Sequence, residues 1–254
     1  MRSLIILAHP EENSFNAQMA DVARRALSLA PGHSAEVLDL YRLGFDPLEE
    51  GRHFPNRKDS SRFDAQAEQR HAADTGTLPS DVKAHLEAVE EADLLILQYP
   101  MWWYMPPAIL KGWLDRVFVY GRAYTSRMRY DAGKFRDRRA MQVVTTGGPE
   151  ATFRYNGRNG DIQHLLWPLN FTLHYLGFTV LEPFVAFGVE GGLKYSEESV
   201  AAARLRGYLA DYGKMLENLA ERPALPFNGW ADWNEEGRLK PGVEGYSPFM
   251  RAEP

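Results

Sequence analysis

Residues 93–118 read DLLILQYPMWWYMPPAILKGWLDRVF, and this stretch decides how the chain folds. It opens with a continuous apolar run, residues 94–97, of the kind found in a strand that is buried on both faces of a sheet. After the pair Pro106-Pro107, apolar side chains recur at helical spacing, which predicts an amphipathic helix that starts next to the prolines. The connection between them, residues 100–105, is short and strongly aromatic. The stretch therefore predicts a buried strand, an aromatic loop and a helix.

Outward from this stretch, apolar runs alternate with amphipathic segments along the chain. Strands are predicted at residues 4–7, 36–40, 94–97, 140–144 and 179–187, the last interrupted by Pro183. Helices are predicted at residues 15–26, 80–91, 107–118, 161–176 and 196–219, with Asn13 or Ser14 capping the first and Ser196 capping the last. Strands that are joined through helices pair in parallel by right-handed crossovers. The sequence therefore predicts an α/β fold, a doubly wound five-stranded parallel sheet in three layers.

Two segments lie outside this pattern. Residues 45–79 are polar and show little periodicity, so we expect an irregular segment of the functional, interfacial or disordered kind. Residues 223–254 are rich in Pro, Gly and Trp, and are expected to form an extended tail that lies on the body of the protein or on a partner subunit. We therefore assign residues 1–222 to one domain and residues 223–254 to a C-terminal extension.

Composition narrows the class of function. The 254-residue chain has a net charge of −5 and no block of basic residues, which argues against nucleic acid as a partner. The absence of cysteine excludes disulfides and thiolate metal sites, and the histidines show no metal-binding spacing, so no metal is expected. No apolar run reaches membrane-spanning length, and the N-terminal run is too short for a signal peptide. We expect a cytoplasmic protein without membrane insertion.

Three loops follow the first, third and fourth predicted strands, and they share the sheet edge at which open α/β sheets bind ligands. The first of these loops, residues 9–16, runs into the start of a helix. Its hydroxyl and amide donors, at a helix N-terminus, suit a phosphate group at that position. A helix cap with polar neighbours explains the same residues equally well.

The second and third loops offer complementary chemistry. Three adjacent aromatic side chains, Trp102, Trp103 and Tyr104, cannot all point into one core, so we favour a wall against a planar ligand over simple packing. The third loop reads TTGG over residues 145–148, where glycine amides can approach a flat ligand and bind an anionic heteroatom, although an ordinary turn is an equal alternative. Phosphate donors, an aromatic wall and an amide edge together suit a flavin better than a nicotinamide alone.

The runs QYPMWWY (residues 98–104) and PAILKGW (residues 107–113) resemble the FAD-dependent NAD(P)H:quinone oxidoreductases of the DT-diaphorase type, which have a flavodoxin-like fold. Further motifs follow in the same order and with similar spacing: AH at 8–9, SFN at 14–16, AYT at 123–125, TTGG at 145–148, LWP at 166–168 and VLEP at 180–183. The resemblance implies an enzyme that takes hydride from NADH or NADPH and passes it through FAD, rather than FMN, to a quinone-like acceptor by a ping-pong mechanism.

The same resemblance assigns residues to the site. Those implied to bind the flavin are His9, Ser14, Phe15, Asn16, Pro100, Met101, Trp102, Trp103, Tyr104, Thr145, Thr146, Gly147 and Gly148. Those implied to line the substrate pocket are Trp103, Tyr104, Phe153, Asn159, Tyr124 and Tyr175, the last two supplied by the other subunit. The active unit is therefore expected to be a homodimer with two shared sites.

The chain departs from the best-known members in the loop after the Gly-Gly pair. Those members place a tyrosine and a histidine there, which are proposed to relay a proton as hydride arrives, whereas this chain has Phe153 and Asn159. Neither side chain is an acid near neutral pH. Tyr155 is the nearest phenol and is our candidate for the proton source, and the amides of Gly147 and Gly148 are our candidates for holding charge on the reduced flavin.

Two alternatives stay open at this point. A nitro- or azoreductase could use the same open aromatic slot, and the changed loop favours an unusual acceptor. A flavodoxin-like electron carrier, or a regulatory subunit of a membrane transporter, is the rival from another class. An aromatic pocket large enough for a substrate argues against the carrier. The sequence marks no docking surface for the regulator, with residues 45–79 and the tail left as candidates for one.

Overall fold

The apolar run that opens the stretch at residues 93–118 forms β3 (Leu94–Pro100), the central strand of a parallel sheet in the computed structural model, which describes residues 1–191, 196–248 and 250. The other strands are β1 (Arg2–Leu7), β2 (Ser34–Asp39), β4 (Arg139–Thr145), β5 (Thr179–Val180) and β6 (Phe184–Ala186). Their order is β2-β1-β3-β4-β5, with β6 also paired to β4, and every pairing is parallel. This order is that of the flavodoxin-like doubly wound fold, as predicted.

Helices cover both faces of the sheet and complete the three layers. They are α1 (Phe15–Leu27), α2 (Ala65–Thr75), α3 (Ser80–Glu91), α4 (Ala108–Val117), α5 (Ile162–Tyr175) and α6 (Glu198–Glu217). Side chains of one strand alternate between two cores, because successive residues of a strand point to opposite faces. In β1, Ile5 packs in the core that α1 and α6 cover, and Ile6 packs in the core that α3, α4 and α5 cover.

A buried polar cluster ties α5 to the centre of the sheet. The Tyr99 hydroxyl donates to the Gln142 side-chain oxygen, which links β3 to β4. The Gln142 amide nitrogen donates to the Leu166 carbonyl at 3.0 Å and to the Asn170 side-chain oxygen at 2.5 Å. Burying these polar groups is tolerated because each finds a partner.

The fifth strand differs from the prediction. Instead of one strand over residues 179–187, the chain forms β5 and β6, which occupy successive positions along the same edge of β4. Between them, Glu182 donates its backbone N–H to the Pro223 carbonyl at 2.9 Å, and Leu181 forms an antiparallel bridge with Ala224. The strand is interrupted because this part of the backbone pairs with the start of the tail.

The prediction of an irregular segment at residues 45–79 was wrong for part of its length. It contains α2, which Asp64 caps by accepting from the Ala67 N–H at 3.0 Å. The inward face of α2 is polar, which is why its sequence shows no apolar period. Glu68 is buried there and accepts from Arg57 Nε at 2.9 Å and from the Lys58 N–H at 2.7 Å.

The two predicted helix caps had different outcomes. Ser14 caps α1, because its hydroxyl oxygen accepts from the Ala17 N–H at 3.2 Å. Ser196 does not cap the last helix. The N-cap of α6 is Glu197, and the Ser196 hydroxyl instead donates to the Glu190 carboxylate at 2.8 Å.

The described part of the tail lies on the body of the same chain. The Phe227 ring stacks on His174 of α5, with centroids 4.3 Å apart and planes 8° from parallel. Burial lowers the pKa of His174, so its neutral ring is favoured in the fold. Below its ordinary pKa of about 6.5, this histidine takes up a proton more readily in the unfolded chain than in the fold. The contribution of the neutral His174 ring to the free energy of unfolding is therefore complete above that pH and is lost as the pH falls below it.

Residue 249 and residues 251–254 of the predicted tail lie outside the described residues. Among the helices that the structure describes, none is both long and apolar enough to span a bilayer.

Packing between α4 and the 45–79 segment can be tested at a glycine. A Cβ at Gly112 would overlap the carbonyl oxygen of Pro47, whereas nothing lies within 4 Å of a Cβ at Gly207 in α6. Alanine favours a helix interior by about 1 kcal/mol over glycine, so Gly207→Ala should stabilise the protein by up to that amount. Gly112→Ala should destabilise it by about 1–3 kcal/mol, because the overlap forces the backbone apart.

Urea unfolding of the two variants measures this difference against the unaltered protein. Equal stabilisation by both substitutions would contradict the close contact between Gly112 and Pro47.

Candidate active site

Sheet register brings the three loops to one place. Leu7 pairs with Gln98, and Pro100 pairs with Thr145, so β1, β3 and β4 end at the same edge. The Met101 N–H donates to the Thr145 carbonyl at 2.9 Å, which joins the base of the second loop to the third. The edge lies where the strand order reverses, between β1 and β3, and this is the usual ligand position in such sheets.

The first loop is held by its own polar groups and touches the second. The Glu11 N–H donates to His9 Nδ1 at 3.0 Å, and the ring of His9 lies 6.2 Å from the ring of Trp102. Ser14 begins α1, whose first amides and dipole favour an anion at this end. The role of this loop in binding a phosphate group stays a prediction.

Asn16 lies beneath the loops rather than on their surface. Its side chain is in a residue only 2% exposed, and both ends of the amide are used inside the protein. Asn16 Nδ2 donates to Thr145 Oγ1 at 2.9 Å, and Asn16 Oδ1 accepts from Gln98 Nε2 at 2.8 Å. This residue therefore joins the start of α1 to the ends of β3 and β4.

Gln98 is a member of this cluster that sequence reasoning did not single out. It is fully buried in the run LLILQYP, where it is the one amide side chain among apolar and aromatic neighbours. A polar side chain in a doubly buried strand must find a partner, and that rule was the available signal.

The second loop is a two-residue hairpin. The Trp102 N–H donates to the Met105 carbonyl at 2.9 Å, and the Met105 N–H donates back at 3.0 Å. Between them, Trp103 and Tyr104 both have positive φ, 52° and 64°. This is the conformation of a type I′ turn, in which Asn-Gly is the favoured pair. Bulky residues in this conformation strain the backbone, and Trp103 is also 93% exposed. Strained backbone of this kind is typical of functional sites.

The third loop presents backbone amides. Thr146 and Gly148 are fixed from behind, since the Thr146 hydroxyl and the Gly188 N–H both donate to the Gly148 carbonyl, at 3.1 Å and 2.9 Å. Among the hydrogen bonds of the described residues, none uses the N–H of Gly147 or Gly148. Two adjacent donors at a sheet edge are therefore open to an acceptor on a ligand.

A cleft of about 980 Å³ lies between α4 and α5. Tyr104, Tyr124 and Tyr175 line it, and the last two rings meet edge to face with centroids 5.8 Å apart. Burial raises the pKa of Tyr124, with a smaller opposing effect from the Gln66 side chain, so its phenol stays protonated at neutral pH. Three aromatic residues of the predicted substrate pocket therefore line the same cleft.

The sequence of this chain is similar to those of known proteins. The model of the flavodoxin-like fold family matches residues 1–209. NAD(P)H dehydrogenase [quinone] 1 of Cavia porcellus is 40% identical over 228 residues, which cover 89% of this chain and 80% of that protein. The chain belongs to the NAD(P)H:quinone oxidoreductase family. Ribosyldihydronicotinamide dehydrogenase [quinone] of Homo sapiens is 37% identical, with 88% of this chain and 94% of that protein covered.

One solved structure resembles this chain over the tail as well as over the flavodoxin-like domain. A putative quinone reductase from Klebsiella pneumoniae superposes with a TM-score of 0.88 at 30% identity, and 98% of each chain is covered. The C-terminal extension is therefore shared by at least one relative of similar length.

The loop in which this chain departs from the family pattern packs over Gly148. A Cβ at Gly148 would lie 3.1 Å from both Phe153 Cε2 and Asn159 Nδ2. Phe153 is buried against Phe187, and Asn159 Nδ2 donates to Thr152 Oγ1 at 2.9 Å. These two residues are placed beside the third loop, while Tyr104, Tyr124 and Tyr175 line the cleft. Within one subunit, the predicted substrate pocket is therefore divided into two groups.

Tyr155, the predicted proton source, lies on the surface of that loop. Its side chain belongs to a residue that is 82% exposed. Neighbouring Asn156 has a positive φ of 61°, and Gly157 packs so closely that a Cβ there would meet the Thr152 backbone. The loop is thus tightly wound, with its single phenol directed to solvent.

The strained hairpin allows a test that separates its two roles. The double variant Trp103→Asn/Tyr104→Gly supplies the pair that a type I′ turn prefers, so unfolding by urea should require up to about 1 kcal/mol more free energy. Flavin affinity should fall about tenfold or more, because the aromatic wall is lost.

Trp103→Phe is the matched control, since it keeps both an aromatic ring and the strained backbone, and it should retain flavin. If the double variant binds flavin as tightly as the unaltered protein, these rings are not the wall of the cofactor site.

Proposed function

We propose that this protein is a cytoplasmic, homodimeric NAD(P)H:quinone reductase that uses FAD and transfers hydride to a quinone-like acceptor by a ping-pong mechanism. One observation carries the assignment of the site. Two unused amides, on Gly147 and Gly148, lie at the sheet edge to which the strained aromatic hairpin is hydrogen-bonded. Family membership supplies the reaction class, and the loops supply donors of the kinds that a flavin needs.

The residues present fit a flavin. The rings of Trp102, Trp103 and Tyr104 would flank its planar ring system, and the amides of Gly147 and Gly148 would bind its polar edge. The start of α1, with Ser14 at the N-cap, would receive the phosphates. When bound, the flavin supplies two-electron hydride chemistry. We favour FAD over FMN on the family resemblance.

The chain's own residues would then do four things. Trp103 and Tyr104 would orient a flat nicotinamide or quinone, which is the main requirement for hydride transfer. The amides of Gly147 and Gly148 would stabilise negative charge at the edge they face. Asn16 would position the first loop against the third rather than contact the ligand through a free amide.

The fourth role is to supply a proton, and we assign it to Tyr155. Phe153 and Asn159 cannot act as acids, and the Tyr155 phenol is the nearest one along this loop. Its exposure means that it would act only when a substrate or a second subunit covers it.

A second copy of the chain is supported by the face between α4 and α5. The exposed apolar residues here include Tyr104 and Met105, which line the large cleft. An apolar surface of this kind marks an interaction site. In the homodimer, each subunit would offer Tyr124 and Tyr175 to the site of the other.

The decisive experiment is the visible spectrum of the purified protein before and after anaerobic addition of NADH or NADPH, with the released flavin identified. We expect a flavin spectrum that bleaches with one or both nucleotides and recovers when a quinone is added.

Release of FMN would refute the FAD assignment. A loaded flavin that stays oxidised with both nucleotides would refute the enzyme and favour a binding module. Recovery with a nitro- or azo-compound but not with a quinone would move the acceptor to that class.

The role of Tyr155 can be tested by removing one oxygen. Tyr155→Phe should lower turnover about tenfold or more, within the usual contribution of a general acid, and should lower the solvent isotope effect on flavin reduction. The fold should not change, because the side chain is exposed.

Tyr246→Phe is the control, since Tyr246 is another exposed tyrosine and lies in the tail. Turnover and an isotope effect in Tyr155→Phe that match the unaltered enzyme would remove Tyr155 from the mechanism.

A further inference from the structure

A second cavity, of about 500 Å³, lies between the tail and α5. None of its lining residues belongs to the three loops of the candidate active site. Five aromatic side chains line it, and these are Tyr130, Trp167, Phe171, Trp230 and Trp233. The remaining lining includes Arg129, Asn228 and Asn234, and also the exposed residues Glu235 and Glu236. The volume lies in the range of small-molecule sites.

Specific hydrogen bonds build this cavity. The Trp230 N–H donates to the Asp131 carboxylate at 2.8 Å, and Trp230 Nε1 donates to the Arg129 carbonyl at 3.3 Å. Asn228 Nδ2 donates to the Glu244 carbonyl at 2.8 Å, and Asn228 Oδ1 accepts from the Tyr246 N–H at 3.1 Å. These bonds fix the tail to residues 129–131 and to itself, and the stacking of Phe227 on His174 fixes it to α5.

Arg129 is the unusual member of the lining. Its guanidinium lies 5.1 Å from the ring centroid of Trp230, 5.5 Å from that of Tyr130 and 5.7 Å from that of Tyr175. Its Nε is buried without a hydrogen-bond partner, and no carboxylate in the described part of the chain forms an ion pair with it. The adjacent acid, Asp131, is engaged with the tail backbone.

Arg116 and Arg138 differ from Arg129 in that each has acceptors on this chain, even though Nε and Nη2 of Arg116 are also buried without a partner. Arg116 donates to the Asp46 carbonyl at 2.7 Å and pairs with Asp81 at 3.0 Å. Arg138 donates to the carbonyls of Val89 and Ala92. The aromatic cage around Arg129 stabilises its charge, but rings accept N–H groups poorly, and a buried donor without an acceptor is costly. An anion would supply the acceptor that Arg129 Nε does not find within the chain.

We propose that this cavity binds a planar aromatic anion, a carboxylate or phenolate on one or two fused rings. The ring system would lie between the tryptophans and Phe171, and the anion would accept from Arg129 in the forked geometry that guanidinium groups favour. The site is separate from the flavin loops, but Tyr175 connects them, because its ring contacts Arg129 and lines the cleft between α4 and α5.

The test is calorimetric titration of the flavin-loaded protein with 2-naphthoate and with the neutral 2-naphthamide. We expect the carboxylate to bind at least about tenfold more tightly, since a hydrogen bond to a charged group is worth that much. Arg129→Gln should weaken naphthoate binding about tenfold or more. Arg127→Gln, which removes an exposed arginine of the same segment, should change it less than about twofold.

Three results would overturn the proposal: equal binding of naphthoate and naphthamide, unchanged naphthoate binding to Arg129→Gln, or an equal loss in Arg127→Gln. The first comparison needs no variant, so it decides the matter even if Arg129→Gln fails to fold. Naphthoate that binds in the flavin cleft would be displaced by the quinone and would ignore Arg129, which is the second of these results. Failure here leaves the reductase assignment untouched, because that assignment rests on the anaerobic spectrum.

Discussion

The amide of Asn16 is the constraint on which the candidate site depends. It bonds Gln98 with its oxygen and Thr145 with its nitrogen, so one planar group connects a helix start to two strand ends. An amide offers an acceptor and a donor in one plane, which neither aspartate nor leucine of similar size can reproduce. The first and third loops approach each other on a fixed geometry because this group is buried and bonded at both its oxygen and its nitrogen. Their spacing is therefore a property of the core, not of flexible loops.

The fold was predictable because its strands are doubly buried and carry apolar runs that no other element would need. Prediction was wrong where the inward-facing residues are polar. Glu68 and Gln69 are buried on α2, so the helix has no apolar stripe to detect. It was also wrong at the fifth strand, where pairing with the distant tail interrupts β5 and β6. Both features depend on contacts between segments far apart in sequence.

The candidate site was predictable in residue type but not in arrangement. Aromatic and glycine-rich loops at one sheet edge followed from the strand order. Nothing in the letters WWY shows that Trp103 and Tyr104 occupy the left-handed region, since tertiary contacts must impose that conformation on bulky residues. Likewise, the direction of Asn16 toward the core depends on Gln98, which is 82 residues away along the chain. Such long-range partners are visible only once the sheet has formed.

The pairing of residues 181–182 with the tail has a consequence for solubility. Parallel sheets end in strands whose backbone groups are free to pair with another chain, and exposed edges of this kind promote aggregation. Here Leu225 donates to the Val180 carbonyl at 2.8 Å, and Glu182 donates to Pro223 at 2.9 Å. The first residues of the tail thus cover the outer edge of β5. In this respect the extension acts as a guard against edge-to-edge association, and a chain cut before Pro223 would expose that edge.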